Sequence, residues 1–313
     1  MSSEPNPVCD LSSPCARLVL GTAQLGMAYG VANRTGRPDA SAATALMAAM
    51  WHHGVRFFDT AQAYGDSESA LGRALAELGV SAQAKVITKL DLRPGDFDAK
   101  AVRQSVEGSL ERLRVPGLWG LLLHREQLLD DWERGLGRNL AGLKADGLVG
   151  RFGVSIYAPE RALQALGQEG LDLVQVPANV FDRQMERAGV FERARALGKS
   201  VFIRSVFLQG LALMPLEAVA RTVPAAVEGV AAYARFCAER QLDRRRFALD
   251  YVGQMAPEAR VIIGAETLEQ AKEDCHLFQL PSLSPEVHSA WTALWPEDVG
   301  EVVDPRRWPP RAS

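Results

Sequence analysis

The sequence predicts an α/β protein, a closed (β/α)8 TIM barrel forming a single domain. Eight short apolar runs alternate with amphipathic stretches along the chain, the pattern of strand–helix units around a parallel sheet. That number favours closure over an open doubly wound sheet. Polar residues also stand one to a strand end, on the face where parallel barrels assemble their sites.

In chain order, residues 1–15, MSSEPNPVCDLSSPC, are polar and Pro-rich and are expected to form a flexible tail, with the barrel domain over 16–313. RLVLG at 17–21 opens the barrel, and further strands are expected at 55–58, 85–88, 119–123, 151–154, 172–176, 200–204 and 260–263. Helical patterns lie between them at 40–53, 67–78, 99–113, 133–146, 159–166, 187–197 and 226–239. In 99–113, Val102, Val106, Leu110 and Leu113 fall at spacings of three and four, which makes one buried stripe. The stretch 206–225 is long for a strand-to-helix connection. Such connections are usually functional in a compact domain, and a clasp over a ligand is expected. A further helix is expected at 245–255, and the tail PRRWPPRAS is expected to be extended.

Composition narrows the function. A formal charge of −3 and a pI near 6.0 give no basic footprint for nucleic acid. No apolar run approaches membrane-spanning length, and the N-terminus lacks the basic-then-apolar order of a secretory signal. A cytoplasmic protein, monomeric or a small homo-oligomer, is expected. Cys9, Cys15, Cys237 and Cys275 are scattered and read as free thiols. His52 and His53 fall in a helical stretch and no HxH or HExxH occurs, so no metal site is expected. No GxGxxG follows a strand, which excludes a Rossmann-type nucleotide site.

Asp59 follows VRFF, Lys89 follows KVIT and His124 follows GLLL, each step about one strand–helix unit of roughly 30 residues. Tyr64 lies just past Asp59. Singly, each has an ordinary reading: a packed Tyr in a turn, a solvated Lys, a structural His, a turn-capping Asp. Brought together on one face, they form a proton-transfer constellation. Reducing a carbonyl creates an alkoxide that a positioned acid must protonate. A neighbouring ammonium lowers the pKa of a phenol, ordinarily about 10.

FFDTAQAYGDSESALGRAL resembles the Asp–x(4)–Tyr–Gly–x–Ser–Glu signature of the aldo-keto reductases. GTAQLGMAYG, VITKL, LLLHR, RFGVS, VQVPANVFD and VIIGAETLEQAKED are similar to the family's other units, in order, over roughly 17–280. The resemblance implies that Tyr64 is the general acid, Lys89 its tuner, Asp59 the anchor and His124 the orienter of the substrate oxygen. It also implies a nicotinamide cofactor extended across the barrel mouth, with Gly21, Thr22, Ser155, Gln175, Arg204, Ser205, Gly264, Glu266, Gln270 and Asp274 as its site. Ser155 and Gln175 match positions that bind the nicotinamide carboxamide, but Ile156 stands where an Asn is usual. Arg204 replaces a Tyr that stacks on the ring; it either stacks likewise or turns to a surface carboxylate.

NADPH is the expected cofactor, with NADH admitted, because Glu266 would repel a 2′-phosphate and Lys272 is the one cation in this unit's sequence. Met27, Tyr29 and Phe181 are candidate substrate surfaces, and Trp51 reads as core. GTAQLGMAYG and VFIRSVFLQGL look like bacterial members associated with sugar and polysaccharide metabolism. The expectation is an NAD(P)H-dependent reductase of sugar-like or anionic aldehydes and ketones, acting on a small-molecule carbonyl substrate. Alternatives are an aldose dehydrogenase running oxidatively, or a nicotinamide-binding redox-sensing regulatory subunit.

Overall fold

A computed structural model describes residues 14–295 and 300–309. The strands are β1 (Leu18–Gly21), β2 (Phe57–Asp59), β3 (Lys85–Leu90), β4 (Gly120–Leu123), β5 (Phe152–Ser155), β6 (Leu173–Pro177), β7 (Ser200–Arg204) and β8 (Arg260–Gly264). All pair parallel in sequence order, and β1 pairs with β8 to close the barrel. Most positions along these strands are buried, because helices cover the outside while side chains fill the inside. That is why they read as continuous apolar runs.

The helices sit where the apolar stripes place them. The helix α1 (Ala40–His52) starts at Asp39, whose carboxylate accepts from Ala42 N at 2.8 Å. In α2 (Ser67–Glu77) and α3 (Ala99–Leu113) the buried stripes face the barrel; Asp98 caps α3 by accepting from Lys100 N and Ala101 N. Such a cap contributes about 1 kcal/mol. Val102, Val106 and Leu113 are buried as the spacing predicts, and Leu110 is partly buried against the same core. Further round lie α4 (Gly137–Ala145), α5 (Pro159–Gly167), α6 (Val190–Ala196), α7 (Val227–Glu239), α8 (Arg244–Met255), α9 (Leu268–Gln279) and α10 (Pro285–Leu294). Here α8 is the additional helix expected at 245–255.

Local departures have local causes. The helix expected at 133–146 opens with a wide turn over Trp132–Leu136, because Gly135 takes φ 133°. The one expected at 187–197 is split into Gln184–Arg187 and α6 by Gly189 at φ 72°. The long 206–225 connection folds into a turn of 3-10 helix at Leu211–Leu213 and a short helix at Leu216–Thr222. Pro305–Arg307 forms a 3-10 turn capped by Asp304 where extended chain was expected, and residues 310–313 of that tail lie outside the described residues. Of the expected N-terminal tail, residues 1–13 lie outside the described residues. Cys15, at its boundary, is fully buried against α9, with its thiol 3.6 Å from Cys275 O. Among the described residues no helix is long and apolar enough to cross a membrane.

Inside the barrel, Val19, Phe57, Ile87, Leu122, Leu173, Phe202 and Ile262 form one separate apolar layer. Beneath it, at the strand starts, the Arg260 guanidinium lies 4.2 Å from the Phe57 ring centre and within 5.8 Å of those of Trp119 and Phe202. Lys85 and Arg151 approach the Phe57 and Trp119 rings from the same level. Cations over ring faces let charge sit at the floor without breaking the apolar plug.

Candidate active site

Side chains alternate across a strand with period two, so each member of the interior layer has its next inward neighbour two residues on. Those neighbours are Gly21, Asp59, Lys89, His124, Gln175, Arg204 and Gly264. The apolar layer is therefore the floor on which the polar residues stand, at the C-terminal ends of the strands.

Asp59 and Lys89 are buried on adjacent strands and pair at 2.6 Å, with the ammonium also donating to Thr60 O at 2.9 Å. The second Asp59 oxygen accepts from Gln175 Nε2 at 2.7 Å. Gln175, expected to bind a carboxamide, is thus placed as a brace of the ion pair. Lys89 Nζ lies 4.9 Å from the Tyr64 ring centre, and His124 meets that ring edge-on at 5.7 Å.

The turn carrying Tyr64 is fixed by its own motif. Ser67 lies within hydrogen-bond distance of Thr22 Oγ1 and Thr60 Oγ1 and donates to Thr22 O, tying β1, β2 and α2 together. Glu68, buried, accepts from Thr88 Oγ1 at 2.6 Å and Arg112 Nε at 2.8 Å. Gly65 supplies a φ of 56°, and Gly26 lies so close that a Cβ there would overlap the Tyr64 carbonyl oxygen. The signature residues around Tyr64 are therefore its scaffold.

Asp59 and Lys89 are buried and Tyr64 and His124 half-buried, and loss of water contact is the largest influence on the site's titration. Burial pushes the Tyr64 phenol well above its ordinary pKa and the Asp59 charge adds to this, while Arg204 opposes it. Burial therefore opposes the acidity that Lys89 is expected to confer on the phenol. Burial lowers Lys89 and Asp59 pulls it back. His124 is lowered to about 4, by burial first and the Lys89 charge second, so its ring is neutral at physiological pH. Burial raises Tyr29 to about 12.

A cavity of about 390 Å³ runs over this face and is lined by Gly21, Thr22, Tyr29, Asp59, Tyr64, Gln175, Arg204, Ser205, Gly264, Glu266 and Gln270. Ser155 is buried at the end of β5 and does not line it. Met27 is 41% exposed and lies outside the cavity lining. Phe181 is placed elsewhere: it packs among Tyr233, Trp291 and Trp295, under α10, and offers a substrate no surface. Trp51 stacks on Phe58. Arg204 does not turn to a surface carboxylate among the described residues. It lies 4.0 Å from the Tyr157 ring centre and donates to Ile156 O and Ser205 Oγ.

Gln24, Arg34 and Arg245 also line the cavity and went unread in the sequence. Arg245 reaches it from α8, braced by Asp274 at 2.9 Å and Glu273 at 3.4 Å. Lys272 is therefore not the only cation available to this end. Asp274 does not line the cavity; burial raises it to about 6, and its Oδ2 has no hydrogen-bond partner among the described residues. Gln270 accepts from Glu266 N. Across the cavity, Gln209 O accepts from Ala32 N, linking the loops after β7 and β1. Side-chain-free edges at Gly21 and Gly264, with Arg34 and Arg245, suit an elongated anionic cofactor such as a nicotinamide dinucleotide.

Residues 17–296 match the family model described as the aldo/keto reductase family. The chain is 28% identical to aldo-keto reductase YhdN of Bacillus subtilis over 189 residues, covering 58% of this chain and 55% of that protein. It spans about half the length of several curated relatives that it matches. It is 24% identical to D-arabinose 1-dehydrogenase of Saccharomyces cerevisiae over 84% of this chain and 82% of that one. A glycerol dehydrogenase from Gluconobacter oxydans has the same fold, with a TM-score of 0.69 at 24% identity, covering 89% of this chain and 90% of that one.

Proposed function

The chain belongs to the aldo/keto reductase family, and on that premise we propose that it is an NAD(P)H-dependent oxidoreductase reducing sugar-like or anionic aldehydes and ketones. The observation that carries the reading is the buried Asp59–Lys89 pair under the Tyr64 ring, at 2.6 Å and 4.9 Å, at the edge of a cavity lined by cations. A bound nicotinamide dinucleotide supplies the hydride.

In the proposed mechanism the substrate oxygen lies between Tyr64 and His124. Dry surroundings keep the Tyr64 proton on its oxygen until charge develops on the substrate; an alkoxide is basic enough to take it. Lys89 faces the tyrosinate that remains, and Asp59, held by Gln175, keeps the ammonium in place. His124, neutral, shares a hydrogen bond with the substrate oxygen. Burial of Asp59 and Lys89 strengthens the ion pair beneath the half-buried Tyr64 and His124. NADPH is the proposed cofactor. Arg34 and Arg245 are candidates for its phosphates, with Glu266 opposing a 2′-phosphate.

The names of two similar proteins, D-arabinose 1-dehydrogenase and glycerol dehydrogenase, favour a second reading, oxidation of a polyol or sugar by the same residues in reverse. The test is parallel titration with NADPH and NADH, read by Trp fluorescence, followed by turnover of Tyr64→Phe. Saturable binding that survives the substitution, with turnover reduced at least about 100-fold, is the expected result. Failure to bind either nucleotide refutes both readings, and full turnover by the variant refutes the role of Tyr64.

A further inference from the structure

Arg204 ends β7 facing inward, half-buried, beside the reacting centre. Its charge reaches the Tyr64 phenol, the His124 ring and Lys89. Among the described residues no carboxylate lies within ion-pair distance of it, whereas Lys89 is paired with Asp59 and Arg245 with Asp274 and Glu273. Two of its donors are used, on Ile156 O at 3.2 Å and Ser205 Oγ at 3.3 Å. A guanidinium carries five N–H groups in a rigid fork, so donors remain for a ligand.

The fork is also held still. Its carbon lies 4.0 Å from the Tyr157 ring centre, and the Arg306 guanidinium carbon lies 3.7 Å from the same centre. Two guanidiniums that close to one centroid would overlap on one face, so they take opposite faces. The Arg306 charge is answered by Asp304, with contacts of 2.8 Å to both carboxylate oxygens. The segment near the C-terminus thus clamps Tyr157 from outside, and Arg204 is the member of the stack without a carboxylate at ion-pair distance, the buried Asp182 acting on it only from farther away.

We propose that Arg204 is a specificity-determining residue that docks a carboxylate or phosphate of the carbonyl substrate, with Tyr157 and Arg306 as positioning residues. This deepens the reductase reading and rests on it. Arg204 and Tyr64 line the same cavity and the Arg204 charge acts on the phenol, so one substrate molecule spans both. Planar bidentate recognition of an oxyanion is what a fixed guanidinium does best.

The test uses matched pairs on the full chain with its preferred nucleotide: succinic semialdehyde against butanal, and glyceraldehyde 3-phosphate against glyceraldehyde. The wild type is expected to favour the anionic member of at least one pair in kcat/KM, and the preferred pair distinguishes carboxylate from phosphate. Arg204→Gln should erase about 10- to 100-fold of that preference, the worth of a hydrogen bond to a charged group. Tyr157→Leu should raise KM for the anion more than it lowers kcat, and Tyr157→Phe, which keeps the ring, should restore it. Equal losses for both members of each pair, or a wild-type preference for the neutral ones, overturn the proposal. If no carbonyl is turned over, calorimetry with succinate and inorganic phosphate separates the two ideas. Binding weakened at least tenfold by Arg204→Gln keeps the anion site while the reductase reading falls; no binding removes the anion site as well.

Discussion

Gly26→Ala tests whether the position of Tyr64 sets the rate. A Cβ at residue 26 would overlap the Tyr64 carbonyl and Ser67 N, and would stand 2.7 Å from Ser67 Cβ where ordinary contact begins at 3.4 Å. The Tyr64 carbonyl oxygen, the tightest of these clashes, sets the retreat of the turn at more than about 1 Å, and the atoms met are mostly backbone, which cannot swing aside. A displacement near 1 Å at a reacting group costs about 100-fold in rate, so kcat should fall roughly 10- to 100-fold. Overpacking should destabilise by about 1–3 kcal/mol, which lowers Tm by roughly 2–6 °C in a chain of this size. The assays are aldehyde reduction at saturating cofactor, differential scanning calorimetry, and cofactor binding by Trp fluorescence. Gly142→Ala is the control, since a Cβ there meets nothing within 4 Å. A Gly26→Ala enzyme with kcat within twofold of wild type would refute the claim that this packing positions Tyr64.

Other expectations follow from single contacts. Asp59→Asn leaves Lys89 buried opposite a neutral group and should cost about 3–5 kcal/mol, read as a lower midpoint in urea; an unchanged midpoint would mean the pair is not buried in solution. His124 has a folded pKa near 4 against about 6.5 unfolded. Its contribution to stability is thus full above pH 6.5 and lost as pH falls toward 4. His124→Phe should flatten that part of the stability–pH curve, and an identical slope in both proteins would contradict it. Glu266→Ala should improve the ratio of NADPH to NADH affinity, measured as dissociation constants; no change would mean that Glu266 does not face the ribose. Glu68→Ala should strand Thr88 and Arg112 and lower Tm by several degrees, with the loss visible in calorimetry.

The legible parts were those set by local periodicity. Eight apolar runs placed the strands within a residue or two, and Asp59, Lys89 and His124 could be found because each ends such a run. Gln24, Arg34 and Arg245 reach the cavity from elements whose sequence gives no inward signal; Arg245 sits in Arg244–Arg246, which reads as a solvated face. Phe181 looked available because it follows a strand in a matched segment. Its burial depends on α10 and Trp291, more than 100 residues later, and nothing near Phe181 announces that contact. The burial that raises the Tyr64 phenol was hidden for a related reason: charge partners can be guessed from neighbours, but burial is a property of the whole assembled fold.

Among the described residues the ring-and-guanidinium layer packs the strand starts like the base of a flask, with the opening above Tyr64 as its neck. A ligand seated in that neck then acts as a stopper, and the Lys89 ammonium hydrogens beneath it should exchange with deuterated solvent more slowly while the ligand stays.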